Sequence, residues 1–384
     1  MGPITLVFPL AAGLVSAAYL AIVLRLRRGL KSLPGSGSPS NLTYSVVIAA
    51  RNEERTIEAC LDTVLAQSIA AGRFEVIVVD DRSTDKTAGI VSRIAREHDR
   101  VALVSITETP EGVSPKKHAV TEGIRRARNE IVVFTDADCR VPPTWLETID
   151  RNVDQSTELL QGITTYRSVR GMNPLFFSLQ ALDFLSHGVV SAAAIGAGVP
   201  LNSNANNLAV RRSTFDEVGG YGAFGRVVSG DDDLLLQKIS ARGPRRVRFM
   251  ADRRGAVETF PTATMRGVFE QRKRWGSKTV YYGPAQVVLL SVIFLYYCLF
   301  TASLLLPLFS LVHPVVPAAL FCIKLGGEYL LIGPGCRMFG REELRKVTVL
   351  LSLLQAPMVI AAVLGGVFGR FRWKEQSFHR ETAG

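Results

Sequence analysis

The chain has 384 residues, of which 47% are hydrophobic, and a formal net charge of +11. This length excludes a single small domain and allows one large domain with an accessory part. Because no basic stripe is interleaved with aromatic residues, the positive charge does not predict nucleic-acid binding. Basic residues beside membrane segments, which attract anionic lipid headgroups, account for it better. The five scattered cysteines show no paired metal spacing and fit a reducing compartment.

Long uncharged stretches predict an integral membrane protein. Residues 4–24, 284–312 and 347–369 contain no charged residue, and residues 315–335 contain only two. Each stretch has about the 17–25 residues that a helix needs to cross a bilayer. The first stretch is followed by the basic residues Arg25, Arg27, Arg28 and Lys31. Because positive charge marks the cytoplasmic end of a span, we expect the N-terminus outside and the following domain in the cytoplasm.

These patterns divide the chain into six parts. We expect a transmembrane helix at 1–24, a basic and Pro/Gly/Ser-rich linker at 25–42, a cytoplasmic α/β domain at 43–260, an interfacial segment at 261–283, a transmembrane region of about three apolar segments at 284–370, and a tail at 371–384. If the last apolar segment crosses the membrane, the basic tail lies outside, against the positive-inside tendency. A break at Pro357 into a re-entrant hairpin would return the tail to the cytoplasm, and the sequence leaves both topologies open.

Two features inside apolar segments are unusual. Residues 173–199 are very apolar for a cytoplasmic domain, and their helical spacing is broken by Asp183 and His187. We interpret them as a second interfacial helix, with packing inside a core as the alternative. Lys324 and Glu328 lie four residues apart, so they share one face of a helix and can pair. Because ionisable groups in a membrane usually face the bundle interior or water, this pair predicts either a substrate path or the end of a span.

The domain between the membrane segments begins with alternating strands and helices. β-branched runs predict strands over 44–50, 74–79, 101–106 and 131–134, and apolar periodicity predicts helices over 53–67, 84–98 and 115–128. This alternation predicts an α/β fold with a mostly parallel, doubly wound sheet.

Polar residues follow three of the predicted strands, at the sheet edge where ligands of open α/β sheets bind. Asn52 and Glu53 follow the first strand, Asp81 follows the second, and Asp136 and Asp138 follow the fourth. The Asp-x-Asp pair suits Mg²⁺ or Mn²⁺ completed by substrate phosphates, with an acidic turn as the alternative. Neither Gly-x-Gly-x-x-Gly nor a P-loop follows the first strand, so metal and basic side chains are expected to neutralise a nucleotide diphosphate.

Three later patterns have both structural and functional interpretations. Residues 231–233 are three aspartates before an apolar run, which is also typical of a helix N-terminus. Residues 271–275 are basic and amphipathic, which is typical of a membrane interface as well as of a site. The asparagines at 202, 204, 206 and 207 predict either a turn or contact with an acceptor.

Taken in order, these patterns resemble membrane-integrated family 2 glycosyltransferases, which have a GT-A fold. The resemblance covers roughly Tyr44 to Trp275. The matching residues are Val46–Glu54, Val78–Asp85, Lys116, Thr135–Asp138, Ser229–Asp232 and Gln271–Trp275. The last group is a complete Gln-x-x-Arg-Trp motif, whereas Asp231 replaces the glutamate of the family's Gly-Glu-Asp motif.

The resemblance implies a role for each of these residues. Nucleotide-sugar binding is implied for Ala50, Asn52, Glu53, Asp81, Lys116 and Asp136. A Mg²⁺ or Mn²⁺ ion is implied for Asp138 and Asp136. Catalytic roles are implied for Asp232, as general base, and for Gln271, Arg274 and Trp275. Contact with the acceptor is implied for Asp231, Arg272 and Asn207.

The implied activity is an inverting, metal-dependent transfer from a nucleotide-diphosphate sugar, with UDP as the expected nucleotide, to a membrane-associated lipid. The modest membrane part favours a glycolipid product, as in enzymes resembling ceramide glucosyltransferase. The first alternative is a processive polysaccharide synthase, and the second is a non-catalytic scaffold or transport component that binds a nucleotide sugar. The expected location is a bacterial inner or plasma membrane, and the oligomeric state is left open.

Overall fold

The structure is a computed structural model that describes residues 3–227, 229–278, 281–373 and 376–379. These residues form two compact units. The α/β unit consists of the described residues in Leu33–Arg170 and Pro200–Pro261. The helical unit consists of the described residues in Met1–Ser32, Gly171–Val199 and Thr262–Arg380.

The α/β unit contains nine strands among the described residues: β1 Tyr44–Ala50, β2 Phe74–Asp81, β3 Val101–Ile106, β4 Ile131–Phe134, β5 Leu159–Gly162, β6 Thr164–Tyr166, β7 Leu208–Arg211, β8 Val247–Met250 and β9 Val257–Thr259. Seven of them form one sheet with the order β3-β2-β1-β4-β7-β5-β8, and β6 and β9 form a separate parallel pair. β1 pairs in parallel with β2 and with β4, and β2 pairs in parallel with β3. β7 is antiparallel to both β4 and β5. The prediction of a mostly parallel sheet is confirmed.

The helices of this unit are α2 Ile57–Leu65, α3 Thr87–Glu97, α4 Pro115–Arg126, α5 Trp145–Asp150, α7 Arg212–Glu217 and α8 Asp233–Ser240. Two of them, α2 and α3, begin later than their apolar periodicity suggested, whereas α4 begins at the predicted residue. α2 begins at Ile57 and not at Glu53, whose backbone amide donates to the Thr87 hydroxyl at 2.8 Å. α3 starts at Thr87, whose own amide and hydroxyl both donate to the Asp85 carboxylate.

The sheet core is tight where α4 crosses β1 and β2. Both strands are almost entirely buried, as parallel strands covered on two faces are expected to be. Gly123 of α4 lies directly over them, and a Cβ atom placed there would overlap a methyl of Val47 and lie 3.1 Å from a methyl of Val79. The absence of a side chain at this position therefore allows α4 to approach the sheet.

The helical unit contains the long apolar helices. They are α1 Pro3–Lys31, α6 Pro174–Gly196, α9 Met265–Gly276, α10 Pro284–Leu305, α11 Val315–Met338 and α12 Thr348–Phe368, followed by the antiparallel hairpin of β10 Arg370–Trp373 and β11 Gln376–His379. α1 continues through the basic cluster to Lys31, so the first residues of the expected linker are helical. α12 runs through Pro357 without a break, so the re-entrant hairpin considered from the sequence does not form.

Among the described residues, five helices are long and apolar enough to cross a membrane: Thr5–Lys31, Pro174–Gly196, Pro284–Phe309, Val315–Met338 and Glu342–Phe368. α6 is a special case because it connects β6 to β7. β4 and β5, which precede α6, hydrogen-bond to β7, which follows it. If α6 crossed the bilayer, it would separate strands that belong to one sheet. This connectivity argues against a crossing by α6, and the many buried residues between Gln180 and Ile195 agree with the alternative interpretation, packing inside a core.

The close approach of α4 gives a stability prediction. Gly123→Ala is expected to lower the stability of the folded protein by about 1–3 kcal/mol, because the added methyl overpacks a buried β-branched contact. The measurement is thermal unfolding of the detergent-solubilised protein. The matched control is Gly89→Ala on α3, where nothing lies within 4 Å of the added Cβ. There the better helix propensity of alanine should leave stability unchanged or raise it by up to about 1 kcal/mol. Equal effects of the two changes would contradict the packing argument.

Candidate active site

A cleft of the α/β unit opens at the carboxyl ends of β1 and β4. Its apolar walls include Val47, Ala49 and Phe134, and its polar lining consists of Lys116, Thr135, Asp136 and Asp231. The Thr135 hydroxyl is buried and has no hydrogen-bond partner among the described residues. The cleft therefore presents both charge and an unsatisfied polar group to a ligand at the edge where open α/β sheets bind one.

Lys116 lies between two carboxylates in this cleft. Its Nζ atom is 3.1 Å from Asp136 Oδ1 and 3.1 Å from Asp231 Oδ2. Burial alone would lower the pKa of Lys116, but the charges of Asp136, Asp231 and Asp232 outweigh it and raise that pKa above its usual value. Lys116 is therefore a permanent cation that bridges the Asp-x-Asp motif and the aspartates before α8.

Asp138 is buried close to other carboxylates, so its own ionisation is unfavourable. Burial, followed by the charges of Asp136 and Glu53, raises the pKa of Asp138 to about 6. Its Oδ2 atom is 3.4 Å from the Thr259 hydroxyl. Crowded carboxylate oxygens are the donor set that Mg²⁺ and Mn²⁺ prefer, so Asp136 and Asp138 fit such an ion. Within the described residues no group of three or more His, Cys, Asp or Glu side chains is placed to hold a metal.

The ends of β1 and β2 are joined by side-chain hydrogen bonds. Asn52, at φ +55°, donates its backbone amide to Ser83 at 3.0 Å, and its side-chain oxygen accepts from the Thr84 amide at 2.8 Å. Glu53 accepts from the Thr56 hydroxyl at 3.0 Å. Ala50 is buried in β1 and pairs with Asp80, so it can offer a ligand only backbone atoms. These residues hold the two loops together.

Asp81 is buried at the end of β2 and is surrounded by arginines. Its Oδ1 atom is 2.9 Å from Arg82 Nε, and its Oδ2 atom is 3.6 Å from Arg51 Nη1. The neighbouring Asp80 has a buried oxygen without a hydrogen-bond partner among the described residues. This edge therefore combines acceptors for a base or ribose with guanidinium groups suited to phosphate.

Asp232 caps α8 and is held rigidly. Its Oδ1 atom accepts from the Asp233 amide at 2.7 Å, and its Oδ2 atom accepts from the Ala205 amide at 3.0 Å. The preceding Gly230 has φ +82°, a conformation that favours glycine and lets the chain turn into the helix. The helix-cap interpretation of the three aspartates is therefore correct for Asp232, and the cap fixes the orientation of a carboxylate beside the cleft residue Asp231.

Asn207 has a structural position that differs from its predicted contact with an acceptor. It is 1% exposed, and its side-chain oxygen accepts from Trp145 Nε1 at 2.9 Å. Its Nδ2 atom donates to the carbonyl oxygens of Ile163 and Gly255, each at 2.8 Å. Because the side-chain amide of Asn207 already makes three hydrogen bonds in the core, the predicted contact with an acceptor is wrong.

The Gln-x-x-Arg-Trp residues lie on α9 of the helical unit. Arg272, predicted to contact the acceptor, is instead buried in an ion pair with Asp183, with Nε 2.8 Å from Oδ2. The Trp275 ring packs against the His187 ring, with their centroids 5.1 Å apart. Gln271 accepts a hydrogen bond from Arg272 at 2.9 Å.

Comparisons with known proteins agree with this architecture. The glycosyl transferase family 2 model matches residues 45–172, and the glycosyl transferase family group 2 model matches residues 131–332, which is more than half of the chain. The chain belongs to this glycosyltransferase family. A mannosyltransferase from Pyrobaculum calidifontis, solved with GDP-Man and Mn²⁺, has a similar fold, with a TM-score of 0.61 and 23% identity over 95% of this chain and 98% of that one. The expected GT-A fold is thereby confirmed.

Two curated relatives carry the same name, beta-monoglucosyldiacylglycerol synthase. The protein from Synechocystis sp. is 24% identical over 94% of this chain and 78% of its own length. The protein from Nostoc sp. is 23% identical over 60% of this chain and 47% of its own length. The glycosyltransferase chain thus spans only about half of the Nostoc relative that it matches.

Sequence reasoning missed several residues of this family member's site. Thr135, the first polar residue after the apolar run of β4, belongs to the matched Thr135–Asp138 motif but was given no role. Tyr221 lines the cleft, and the Lys117 ammonium lies 5.6 Å from the centre of its ring. Ala205 was hidden within the asparagine cluster because its contribution is a backbone amide, which no side-chain pattern reveals.

The position of Asn207 gives a prediction that separates a structural role from an acceptor role. Asn207→Ala removes the hydrogen bonds of the buried Trp145 indole and of the Gly255 carbonyl, and one of the two at the Ile163 carbonyl, so it is expected to destabilise the protein by about 3 kcal/mol. Thermal unfolding of the purified protein measures this. Asn204→Ala, which removes one hydrogen bond to the Asn206 amide in a turn, is the control and should cost about 1 kcal/mol. Unchanged stability with lost turnover would restore the acceptor role.

Proposed function

We propose that the protein transfers a sugar, with inversion, from a nucleotide-diphosphate sugar to a hydroxyl of a membrane lipid. One observation carries this proposal: Lys116, Asp136 and Asp231 converge in a cleft at the carboxyl ends of parallel strands, beside a rigidly held Asp232. The same sheet edge therefore combines charged groups that can bind a diphosphate leaving group with a carboxylate that can accept a proton from the attacking hydroxyl. UDP is the proposed nucleotide.

The donor would be held by residues from three strand ends. Buried Asp81, supported by the loop that Asn52 and Glu53 stabilise, would accept hydrogen bonds from the nucleoside. Asp136 and Asp138 would hold Mg²⁺ or Mn²⁺, which when bound would offset the negative charge of the diphosphate leaving group. Lys116 would supply a second positive charge to the same phosphates.

The acceptor side would depend on Asp232. Its two hydrogen bonds from backbone amides fix the carboxylate, so it can take the proton of an acceptor hydroxyl as that oxygen attacks the anomeric carbon. A base on one side of this carbon and a leaving group on the other produce inversion. Gln271, Arg274 and Trp275 of α9 are proposed to take part in catalysis, as the family resemblance implies.

The apolar helices and the named relatives support a lipid acceptor. Both relatives are called synthases of a glucosyl diacylglycerol, so a diacylglycerol-like lipid is the first acceptor to test. The basic residues at the end of α1 support a cytoplasmic location for the α/β unit.

Replacement of Asp232 by Asn tests the proposed base. Asparagine caps a helix as well as aspartate does, so α8 should be retained while the basic group is lost. Transfer should fall by about 10²–10⁴-fold, whereas UDP binding should remain. The measurement is label transfer from a panel of radiolabelled nucleotide sugars in detergent with native lipids and Mn²⁺ or Mg²⁺. Asp231→Asn serves as the comparison, because Asp231 lines the cleft without occupying the cap.

The distribution of label distinguishes the proposed function from its alternatives. Label in the organic phase, lost in Asp232→Asn, supports glycolipid synthesis. Label in a high-mass aqueous fraction would replace it with a polysaccharide synthase. Nucleotide binding without transfer from any donor would favour the non-catalytic scaffold, and a larger loss in Asp231→Asn than in Asp232→Asn would move the base to Asp231.

The bridging position of Lys116 gives a second prediction. Lys116→Gln leaves Asp136 facing Asp231 without a cation, so Mn²⁺ should bind the nucleotide-free protein roughly fivefold more tightly. UDP should bind more weakly in the presence of Mn²⁺, because one positive charge near the diphosphate is lost. Electron paramagnetic resonance of free Mn²⁺ and calorimetry of UDP measure the two effects. Lys238→Gln, whose ammonium donates to a backbone carbonyl, is the control. Weaker Mn²⁺ binding in the absence of nucleotide would contradict the prediction.

A further inference from the structure

The helical unit contains a buried ion pair that the proposed chemistry does not use. Asp183 of α6 and Arg272 of α9 have side chains that are 3% and 5% exposed. Both Nε and Nη2 of the guanidinium donate to Asp183 Oδ2. A buried pair of this kind is expensive to desolvate, and removal of one partner leaves a charge without compensation. Its presence therefore calls for a role beyond filling the interior.

Arg272 contacts two of the three side chains that define the Gln-x-x-Arg-Trp motif. Its Nη1 atom donates to Gln271 Oε1 at 2.9 Å. The guanidinium carbon lies 4.1 Å from the centre of the Trp275 ring, within cation–π range. Arg272 occupies a position that the motif leaves unspecified, yet it is the residue that joins Gln271 to Trp275.

Asp183 is itself held from a second direction. Its Oδ1 atom accepts from Gln355 Nε2 on α12 at 3.2 Å. The Gln355 oxygen in turn accepts from Lys324 Nζ and from the Tyr297 hydroxyl, each at 3.3 Å. Lys324 is fully buried and is paired with Glu328 on α11. A continuous set of polar contacts thus connects α9 to α6, α12, α11 and α10.

We propose that Asp183 and Arg272 are positioning residues, which orient Gln271 and Trp275 of the motif for the transfer reaction. This inference rests on the proposed function. The geometry requires an arginine, because one planar group must bind a carboxylate, donate to an amide oxygen and stack on an indole. Lysine carries the same charge but has neither the fork nor the flat face. The network through Gln355 fixes Asp183, so the orientation is transmitted from the interior of the helical unit to α9.

The test compares Arg272→Lys with Asp183→Asn in the full-length detergent-solubilised protein. For each variant we expect kcat to fall by about 10²-fold, because displaced motif side chains misalign the reacting groups. The KM for the nucleotide sugar and the affinity for UDP should stay unchanged, because the proposed donor-binding residues belong to the α/β unit. A merely structural role would instead lower the amount of active protein and leave kcat per folded molecule unchanged.

A readout that does not depend on activity follows the Trp275 side chain. Its fluorescence is obtained as the emission lost in Trp275→Phe, measured in the wild-type and in the Arg272→Lys background. Loss of the guanidinium that covers the ring should shift this emission to longer wavelength and increase its quenching by acrylamide. An unchanged Trp275 emission in Arg272→Lys would overturn the proposal even if turnover fell.

Two further variants address folding and specificity. The double variant Asp183→Asn/Arg272→Gln leaves no buried charge unpaired, so it should fold even where a single change does not. It should remain impaired in kcat, and full activity in it would overturn the proposal. Lys273→Gln is the matched control on α9, because the ion pair of Lys273 with Glu270 lies within that helix. It should retain wild-type kcat and Trp275 emission. If the wild type transfers no sugar, the proposed function fails, whereas the fluorescence still decides whether Arg272 positions Trp275.

Discussion

Negative charge crowded at one edge of a parallel sheet is the constraint on which the site depends. Asp136 and Asp138 follow β4, and Asp231 precedes α8. Burial raises the pKa of Asp138 to about 6, and repulsion by the nearby carboxylates of Asp136 and Glu53 adds to the shift. Lys116 offsets part of this repulsion because its ammonium group bridges the carboxylates of Asp136 and Asp231. The cleft thus retains an unbalanced negative charge, and a divalent cation bound to a diphosphate is a ligand that satisfies it.

The antiparallel strand β7 explains how the base and the metal motif reach the same edge. Phe134, the last residue of β4, pairs with Leu208, the first residue of β7. Because β7 runs against its neighbour, the loop before β7 rather than the loop after it lies at the carboxyl end of β4. That loop supplies the backbone amides of Ser203 and Ala205 to Asp233 and Asp232. A fully parallel sheet would have brought a different loop to this position and left the cap of α8 without these donors.

The sequence predicted the parts of the molecule that depend on local pattern. The runs at 44–50, 101–106 and 131–134 coincide with β1, β3 and β4, because runs rich in β-branched residues give a clear strand signal. Asp136 was located because it directly follows such a run. Asn207 and Arg272 were misplaced because their partners lie far along the chain: Asn207 bonds to Trp145, and Arg272 bonds to Asp183. A polar residue looks the same in sequence whether it faces a ligand or a distant core group.

The α/β unit and the helical unit differ in how completely their buried charges are paired, and the difference follows from the surroundings of each unit. In the α/β unit, water and a substrate can reach the cleft, so an excess of carboxylates over Lys116 is tolerable and useful. In the helical unit, an unpaired charge would face hydrocarbon or a dry interior at high cost. Asp183 is accordingly paired with Arg272, and Lys324 with Glu328, with Gln355 joining the two pairs. In the helical unit, these paired groups hold the helices in a defined register. These different surroundings are the physical reason to assign ligand binding to the α/β cleft and a positioning role to the ion pair of Asp183 with Arg272.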